Sequence, residues 1–555
     1  TKAAPYIDNC LQFVHKLRQD LNNRCSALEP LQLICVTLAI VWLIHKLKCC
    51  LRFTTSDNYL IVFKRKAFQL MMKLPFIGSL IEKEIRKAEN AVKHNMMKPF
   101  EKETFITRLP QKGNGYSTEK ILDEAKKYQN LGKIGWKEGR VSGTVYADCN
   151  NEERNSLLTK VFDITSYTNP LHADIFPGIR KMEAEVVRIS LTLFHGDKKS
   201  CGTVTTGGTE SILLVCKAYR DYARYVKGIC DPEMIVPVTA HAAFDKASQM
   251  LSMKIKHIPI DSISMKVKIK DMQSAITRNT CMLVGSAPAF PHGTVDSITE
   301  IGKLGLKFDI PVHVDCCLGG FLVPFLKDAG FPVVQCDFSV PGVTSISADT
   351  HKYGFAPKGS SVIMYSDKKY RHYQYSVQTD WPGGVYASPN VGGSRSGATI
   401  ATCWAALLYQ GYEGYVDATR KIIQTTAFIK SQLSGIEGLF IYGDPILSVI
   451  AFGSKRFDIF GLSDGLSAKG WNVNPLQFPS GFHICVTLMH TVDGVAQKFV
   501  EDVKNITAEL LKNPSAKMGE GAAIYGTAQS IPDRSLISSM AQKYLDFYYS
   551  TDRDD

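Results

Sequence analysis

The 15 cysteines of this 555-residue chain include no Cys-x-x-Cys pair and no repeated spacing. No zinc-finger arrangement, RNA-binding aromatic motif or basic heptad region is present either. These absences argue against a disulfide framework, a metal site and nucleic-acid binding. An odd number of scattered cysteines is instead the pattern of reduced cytosolic thiols. The chain also lacks internal repeats and low-complexity tracts, which leaves a globular protein large enough for two or three domains. Long apolar runs are scarce as well. The run Leu31–Ile44, broken only by Gln32 and Thr37, falls short of the ~20 residues that span a bilayer comfortably. Thirty residues precede it and no small-residue cleavage site follows, so it does not read as a signal peptide.

The net charge of +12 is confined rather than spread. Between residues 45 and 112, fifteen Lys/Arg face only six Asp/Glu. The cluster of Lys46, Lys48, Arg52, Lys64, Arg65 and Lys66 behind the apolar run looks like a stop-transfer flank lying against anionic lipid, and snorkelling lysines would lengthen the run. A buried core helix is the competing reading. The expected layout is an N-terminal lumenal segment over 1–30, a transmembrane anchor over 31–48 and a basic juxtamembrane segment and linker over 49–115. Four Lys/Arg after the run against three before it favour, by a thin margin, a cytosolic C-terminal side. Cys49 and Cys50 read as interfacial, and the Asn505 sequon, in a helical pattern, as chance.

From about Trp136 to Thr399 short apolar runs such as "CMLVGS" and "PVHVDCC" alternate with helical stretches such as "TESILLVCKAYRDYARYVKG". That alternation predicts an α/β domain over 116–400 with a mainly parallel sheet covered on both faces. Beyond it, "LSVIAFGS", "FHICVTLMHT" and a helix from Val495 to Lys512 predict a smaller C-terminal α+β domain over 401–555.

Ligands of α/β sheets bind at the carboxyl ends of strands, and four such ends carry polar residues. Gly207-Gly208-Thr209 follows a strand and opens a helix, which suits an anion cradle and equally a plain tight turn. His241 follows an apolar run, where a hydrogen-bonded core histidine is the commoner role. Asp315 closes a buried strand, where a carboxylate needs a cationic or protonated partner. Lys352 sits in "SISADTHKYGFAPKGSS", where neither helix nor strand periodicity asks for a lysine. Jointly these are the parts that pyridoxal 5'-phosphate requires: a phosphate cradle, a ring stacker, an aspartate for the pyridinium nitrogen and a lysine for the aldehyde.

The motifs "GRVSGTVY", "NPLHADIFPGIRKMEAEVVR", "TGGTESIL", "AHAAFDKA", "PAFPHGTVDS", "HVDCCLGGF", "SISADTHKYGFAPKGSS" and "DWPGGVYASP" carry a resemblance to the sphingosine-1-phosphate lyase family over nearly the whole chain. The resemblance implies the aspartate aminotransferase-like fold of type I pyridoxal phosphate enzymes. It further implies a homodimer with shared active sites, and an endoplasmic-reticulum anchor with a cytosolic catalytic part. Lys352 would bind the cofactor covalently, Asp315 would pair with its ring nitrogen and His241 would stack on the ring. Gly208, Thr209 and His351 would hold the cofactor phosphate, with Gly393 and Ser394 contributed to the neighbouring subunit. Tyr146, Asn169, His172 and Lys358 correspond to the substrate-phosphate pocket. The family loop reads glycine-serine-arginine-proline-glycine-glycine, whereas here Ser396 and Ala398 replace the proline and the second glycine, so a looser loop is expected.

The implied reaction is retro-aldol cleavage of a phosphorylated sphingoid base to a long-chain aldehyde and phosphoethanolamine. Lys352, Lys358 and Tyr146 are all chemically plausible bases for the 3-hydroxyl. An amino-acid decarboxylase of the same fold is the nearest rival, and a catalytically dead membrane scaffold the rival from another class.

Overall fold

A computed structural model describes residues 75–101, 103–110, 115–132, 134–514 and 534–551. The expected lumenal segment and anchor, 1–30 and 31–48, lie outside these residues. Among the described residues no helix is long and apolar enough to cross a membrane. Part of the expected basic linker is instead a helix, α1 (Pro75–Met97). Next come α2 (Thr118–Gln129), α3 (Glu152–Thr165) and α4 (Pro177–Leu193).

The larger sheet has seven strands in the order β1-β7-β6-β5-β4-β2-β3. They are β1 (Cys201–Thr205), β2 (Glu233–Pro237), β3 (Lys254–Ile258), β4 (Thr280–Ser286), β5 (Val312–Asp315), β6 (Val343–Ala348) and β7 (Ser361–Tyr365). Every neighbouring pair is parallel except those made by β7. The mainly parallel sheet expected from the alternation is therefore present. Strands β1, β2, β4 and β5 are buried along their whole length, as befits a sheet covered by helices on both faces. Those helices include α5 (Gly208–Lys227), α6 (Ala243–Leu251), α7 (Ile269–Ala275) and α8 (Ile298–Phe308). Helix α5 buries Ile212, Leu214, Val215, Ala218 and Tyr219 and stops at Gly228, whose φ of 67° suits glycine.

After β7 come α9 (Lys368–Arg371) and a hairpin of β8 (Ser376–Gln378) and β9 (Tyr386–Ser388). Helix α10 (Gly397–Ser434) follows, interrupted at Gly411, whose φ of 63° and ψ of 170° leave the helix. The domain boundary expected at 400/401 thus falls inside the first half of α10. An antiparallel four-stranded sheet comes after it, β10 (Leu439–Ile441), β11 (Val449–Ser454), β13 (Gly481–Cys485) and β12 (Asn474–Leu476) in that spatial order. It packs with α11 (Ile459–Ala468) and α12 (Val495–Lys512). A last helix, α13 (Arg534–Tyr549), packs against α1 and places Phe547 5.9 Å from Lys93 Nζ.

The segment 140–143, far upstream, is stitched to the small sheet. Ser142 N donates to Asn472 O at 2.8 Å, Gly143 N to Cys485 O at 2.8 Å, and Cys485 N to Ser142 Oγ at 2.8 Å. Tyr146 is thereby delivered from the small-domain side.

Candidate active site

Strand β5 ends on Asp315, in register with Ser286 of β4 and Ser347 of β6. The aspartate is 7% exposed. Its Oδ1 accepts from Cys317 N at 3.1 Å and from Ser347 Oγ at 3.4 Å. Beneath it, burial pushes His313 down to about 4, so that ring is neutral and supplies no charge. The buried carboxylate holds dipolar partners, and a cation or protonated nitrogen would complete it.

Strand β6 leads directly into the lysine turn. Lys352 Nζ lies 2.9 Å from Asp349 Oδ2, and His351 Nε2 lies 3.6 Å from the same oxygen. Burial opposes the ammonium of Lys352, but the Asp349 charge, then Cys317 and Tyr146 and the hydrogen bond to Asp349, together hold the pKa above the ordinary lysine range. For Asp349 itself burial acts upward, while Lys352, His351 and hydrogen bonds from Lys352 and Ser361 together bring the carboxyl below its usual value. Its Oδ1 is buried with no hydrogen-bond partner. Lys352 is thus partly buried, its side chain 22% exposed, and Asp349 favours its protonated form.

The cradle meets this turn closely. Gly207 caps α5, and a Cβ there would stand 3.2 Å from His351 Cε1; a Cβ on Gly208 would press within 2.8 Å of Cys317 Sγ and 3.0 Å of Asp349 Oδ1. Glycine at both positions lets the helix start approach the lysine turn, and Thr209 is exposed beside it. His351 Nδ1 accepts from Ser360 N at 3.2 Å, and burial followed by the charges of Lys358 and Lys352 lowers its pKa despite Asp349. His241, four residues beyond the parallel strand β2, stands at the same sheet edge. It is exposed, with Nδ1 accepting from Ala243 N at 3.1 Å. It is thus an accessible ring and not the core histidine of the bland reading.

A cleft of about 450 Å³ beside Lys352 is lined by Tyr146, Arg154, His351 and Lys358 among others. Lys358 Nζ sits 4.9 Å from the centroid of the Tyr146 ring. Burial first, and then Cys485, keeps the Tyr146 phenol well above its normal range, so it is a donor. Burial and the nearby Lys352 charge lower the Lys358 pKa. Asn169 and His172, expected in the same pocket, do not line this cleft. Asn169 Oδ1 accepts from Leu171 N at 3.1 Å and Arg395 N at 3.2 Å, so it caps the turn at Pro170. His172 is exposed. Asn169 is tied instead to the loop bearing Gly393 and Ser394.

That loop is held where it enters α10. Arg395 clamps Glu183 through two contacts of 2.5 and 3.0 Å, and Gly397 N donates to Thr168 O at 2.9 Å. Ser396, in place of the proline, accepts from Thr399 N at 3.2 Å and caps α10, while Ala398 is fully buried. The expectation of a looser loop finds no support in this geometry. Two residues were missed by sequence reading, Asp349 and Arg154. Asp349 stands three positions before Lys352, a spacing a tight turn brings together. Arg154 is 8% exposed and donates to Phe355 O.

These residues fit pyridoxal phosphate: the glycine cradle, the buried Asp315, the open His241 ring and Lys352 all lie at one edge of the large sheet. The conserved domain of pyridoxal-dependent decarboxylases matches residues 144–455. The sphingosine-1-phosphate lyase of Drosophila melanogaster is 50% identical over 96% of this chain and 97% of its own length. The chain belongs to the sphingosine-1-phosphate lyase family. The rice lyase is 39% identical over 97% of this chain and 99% of its own. Among solved structures, the Burkholderia pseudomallei sphingosine-1-phosphate lyase superposes with a TM-score of 0.74 at 35% identity, covering 81% of this chain and 99% of that one. The Lactobacillus brevis glutamate decarboxylase, at 19% identity and a TM-score of 0.63, shares the fold alone. Membership of the sphingosine-1-phosphate lyase family makes this protein a pyridoxal phosphate-dependent lyase.

Proposed function

We propose that the protein cleaves phosphorylated sphingoid bases between C2 and C3, giving a long-chain aldehyde and phosphoethanolamine. The observation that carries this reading is a single cleft beside Lys352 that holds Tyr146 and Arg154, two phosphate donors, together with the Lys358 amine, where an amino-acid decarboxylase has no phosphate to meet. Asp315, His241, Gly207, Gly208, Thr209, His351 and Lys352 are the residues that would hold the cofactor. When bound, pyridoxal phosphate supplies a sink for the electron pair left at C2 as the C2–C3 bond breaks. The 3-hydroxyl must lose its proton to become the aldehyde. Burial keeps the proton on Tyr146 Oη and Asp349 keeps it on Lys352 Nζ. Lys358 Nζ is the candidate whose pKa has moved toward accepting one. We assign it that role, with Tyr146 and Arg154 as donors to the substrate phosphate.

Asn169, His172, Gly393 and Ser394 are assigned to the site of a second subunit. The exposed apolar residues of the neighbouring stretch, Val377, Trp381, Val385 and Val391 at 54–74% exposure, support a homodimeric surface there. The Leu31–Ile44 run and its basic flank support a single anchor in the endoplasmic reticulum membrane with the catalytic part in the cytosol. Incubation with a phosphorylated sphingoid base followed by mass spectrometry tests the activity. A fatty aldehyde with phosphoethanolamine is expected; carbon dioxide released from an amino acid instead would assign the chain to the decarboxylase chemistry.

A further inference from the structure

A second cavity, of about 830 Å³, shares no lining residue with the catalytic cleft. Its walls are α4, the edge strand β1, α9 and the loop before α10. Six cations line it, Arg180, Arg188, Lys198, Lys368, Arg371 and Arg395, against one carboxylate, Glu183. Both oxygens of Glu183 are engaged by Arg395. Among the described residues the other five cations have no ion-pair partner. Two of them are held in place by neutral acceptors. Arg188 donates to the carbonyls of Asp197 and Ser200 at 3.2 Å each, and Arg371 to the carbonyl of Gly202 at 3.1 Å. These bonds fix the guanidinium groups without cancelling their charge. The Nε atoms of Arg371 and Arg395 are buried with no hydrogen-bond partner. The nearby carboxylates are occupied locally: Asp197 takes Lys199 N, Ser200 N and Ser200 Oγ, and Asp367 takes Lys369 N.

We propose that this cavity is a second anion site, binding a phosphate-bearing ligand with at least two negative charges. Five uncompensated cations around one concavity repel each other, and low-dielectric walls focus their field onto whatever enters. A chloride or lone carboxylate would neutralise one of them. Phosphate brings two charges and three acceptor oxygens, and the planar fork of arginine matches it in two hydrogen bonds at once. A soluble phosphate ester and an anionic lipid headgroup share this chemistry.

Tripolyphosphate is the first probe, titrated calorimetrically into the full-length holoenzyme. The comparison variant is Arg180→Glu/Lys198→Glu/Lys368→Glu, at three exposed positions outside the catalytic cleft. The wild type should bind and gain thermal stability, the variant should bind at least tenfold more weakly, and turnover should be unchanged. Should the triple variant fold poorly, Lys198→Glu alone must still weaken binding about threefold. Glycerol 3-phosphate and short-chain dihexanoyl phosphatidic acid separate the two sources. Equal affinities assign a soluble ester, and a tenfold preference for the lipid assigns a headgroup. A wild type that binds no probe overturns the proposal, since the cavity is then closed by another part of the assembly. Undiminished binding in the variants also overturns it, placing the anion in the catalytic cleft.

Discussion

Replacing Asp349 with asparagine removes the one carboxylate that the structure places at Lys352 Nζ, 2.9 Å away, while keeping size and shape. The lysine amine lies partly buried among Tyr146, Cys317 and Asp349, its side chain 22% exposed, so its charge is only partly open to solvent. Two escapes set the cost. Leaving half of a buried ion pair typically costs 3–5 kcal/mol. Alternatively the amine sheds its proton, which at pH 7 costs about 4.6 kcal/mol, from an unfolded pKa near 10.4 at 1.36 kcal/mol per unit. The second escape sets a ceiling that falls with pH, to about 2 kcal/mol at pH 9 and close to zero near pH 10.4. The two shifts set the sign. The Lys352 pKa is raised, so its contribution is complete below the unfolded value and fades only as pH rises through the folded one. The Asp349 pKa is lowered, so its contribution persists above the unfolded carboxyl value and is lost only in acid. Thermal and urea unfolding of the apo-protein, wild type against Asp349→Asn, should show a deficit of about 3–4 kcal/mol at pH 7 that narrows steadily toward pH 10. A variant as stable as the wild type at pH 7, or a deficit independent of pH, would refute the buried pair as the source of lysine protonation.

Lys352→Arg keeps a cation for Asp349 but cannot lose a proton or join an aldehyde; turnover and borohydride-trappable cofactor should vanish together, and trapping on another lysine would displace the assignment. Lys358→Arg distinguishes proton acceptor from phosphate ligand. If Lys358 Nζ takes the 3-hydroxyl proton, kcat should fall with KM nearly unchanged, and the rise of kcat with pH through the lowered Lys358 pKa should disappear; rescue by arginine would make it a phosphate ligand instead. His172→Ala should cost about 1.5–3 kcal/mol in kcat/KM for the phosphorylated base and much less for an unphosphorylated one. Equal penalties, or loss of bound cofactor, would remove His172 from phosphate recognition.

The chemistry was legible where residue type and strand end coincide. A lysine outside any periodicity, an aspartate closing an apolar run and paired glycines before a helix announce themselves because packing explains none of them. The parallel sheet was legible from the alternation of short strand-like runs such as that of β4 with helical stretches, a pattern that a doubly covered sheet accommodates. Asp349 was not, because in "SADTHK" a polar residue before a lysine looks like any loop carboxylate until the turn buries it to 2%. The partition of the phosphate residues was equally hidden. Nothing in "NPLH" says that Asn169 Oδ1 is spent on the backbone of Arg395, 226 residues away. Nor does composition foretell that a domain boundary set at residue 400 falls inside a helix that runs on to Gly411.

The seam between segment 140–143 and β13 joins residues 341 to 343 positions apart. Tyr146, which packs on Tyr353 and Lys358 of the large domain, therefore gains its small-domain support only once Cys485 has left the ribosome. By then β1 through β7, with the cradle, Asp315 and Lys352, have already emerged. Non-local closures of this kind are the slow ones, and the larger sheet must wait with its cleft unwalled on one side. A nascent chain halted between Lys352 and β13 carries the lysine turn without the seam that ties the segment before Tyr146 to the small sheet, and that seam closes in the last stage of synthesis.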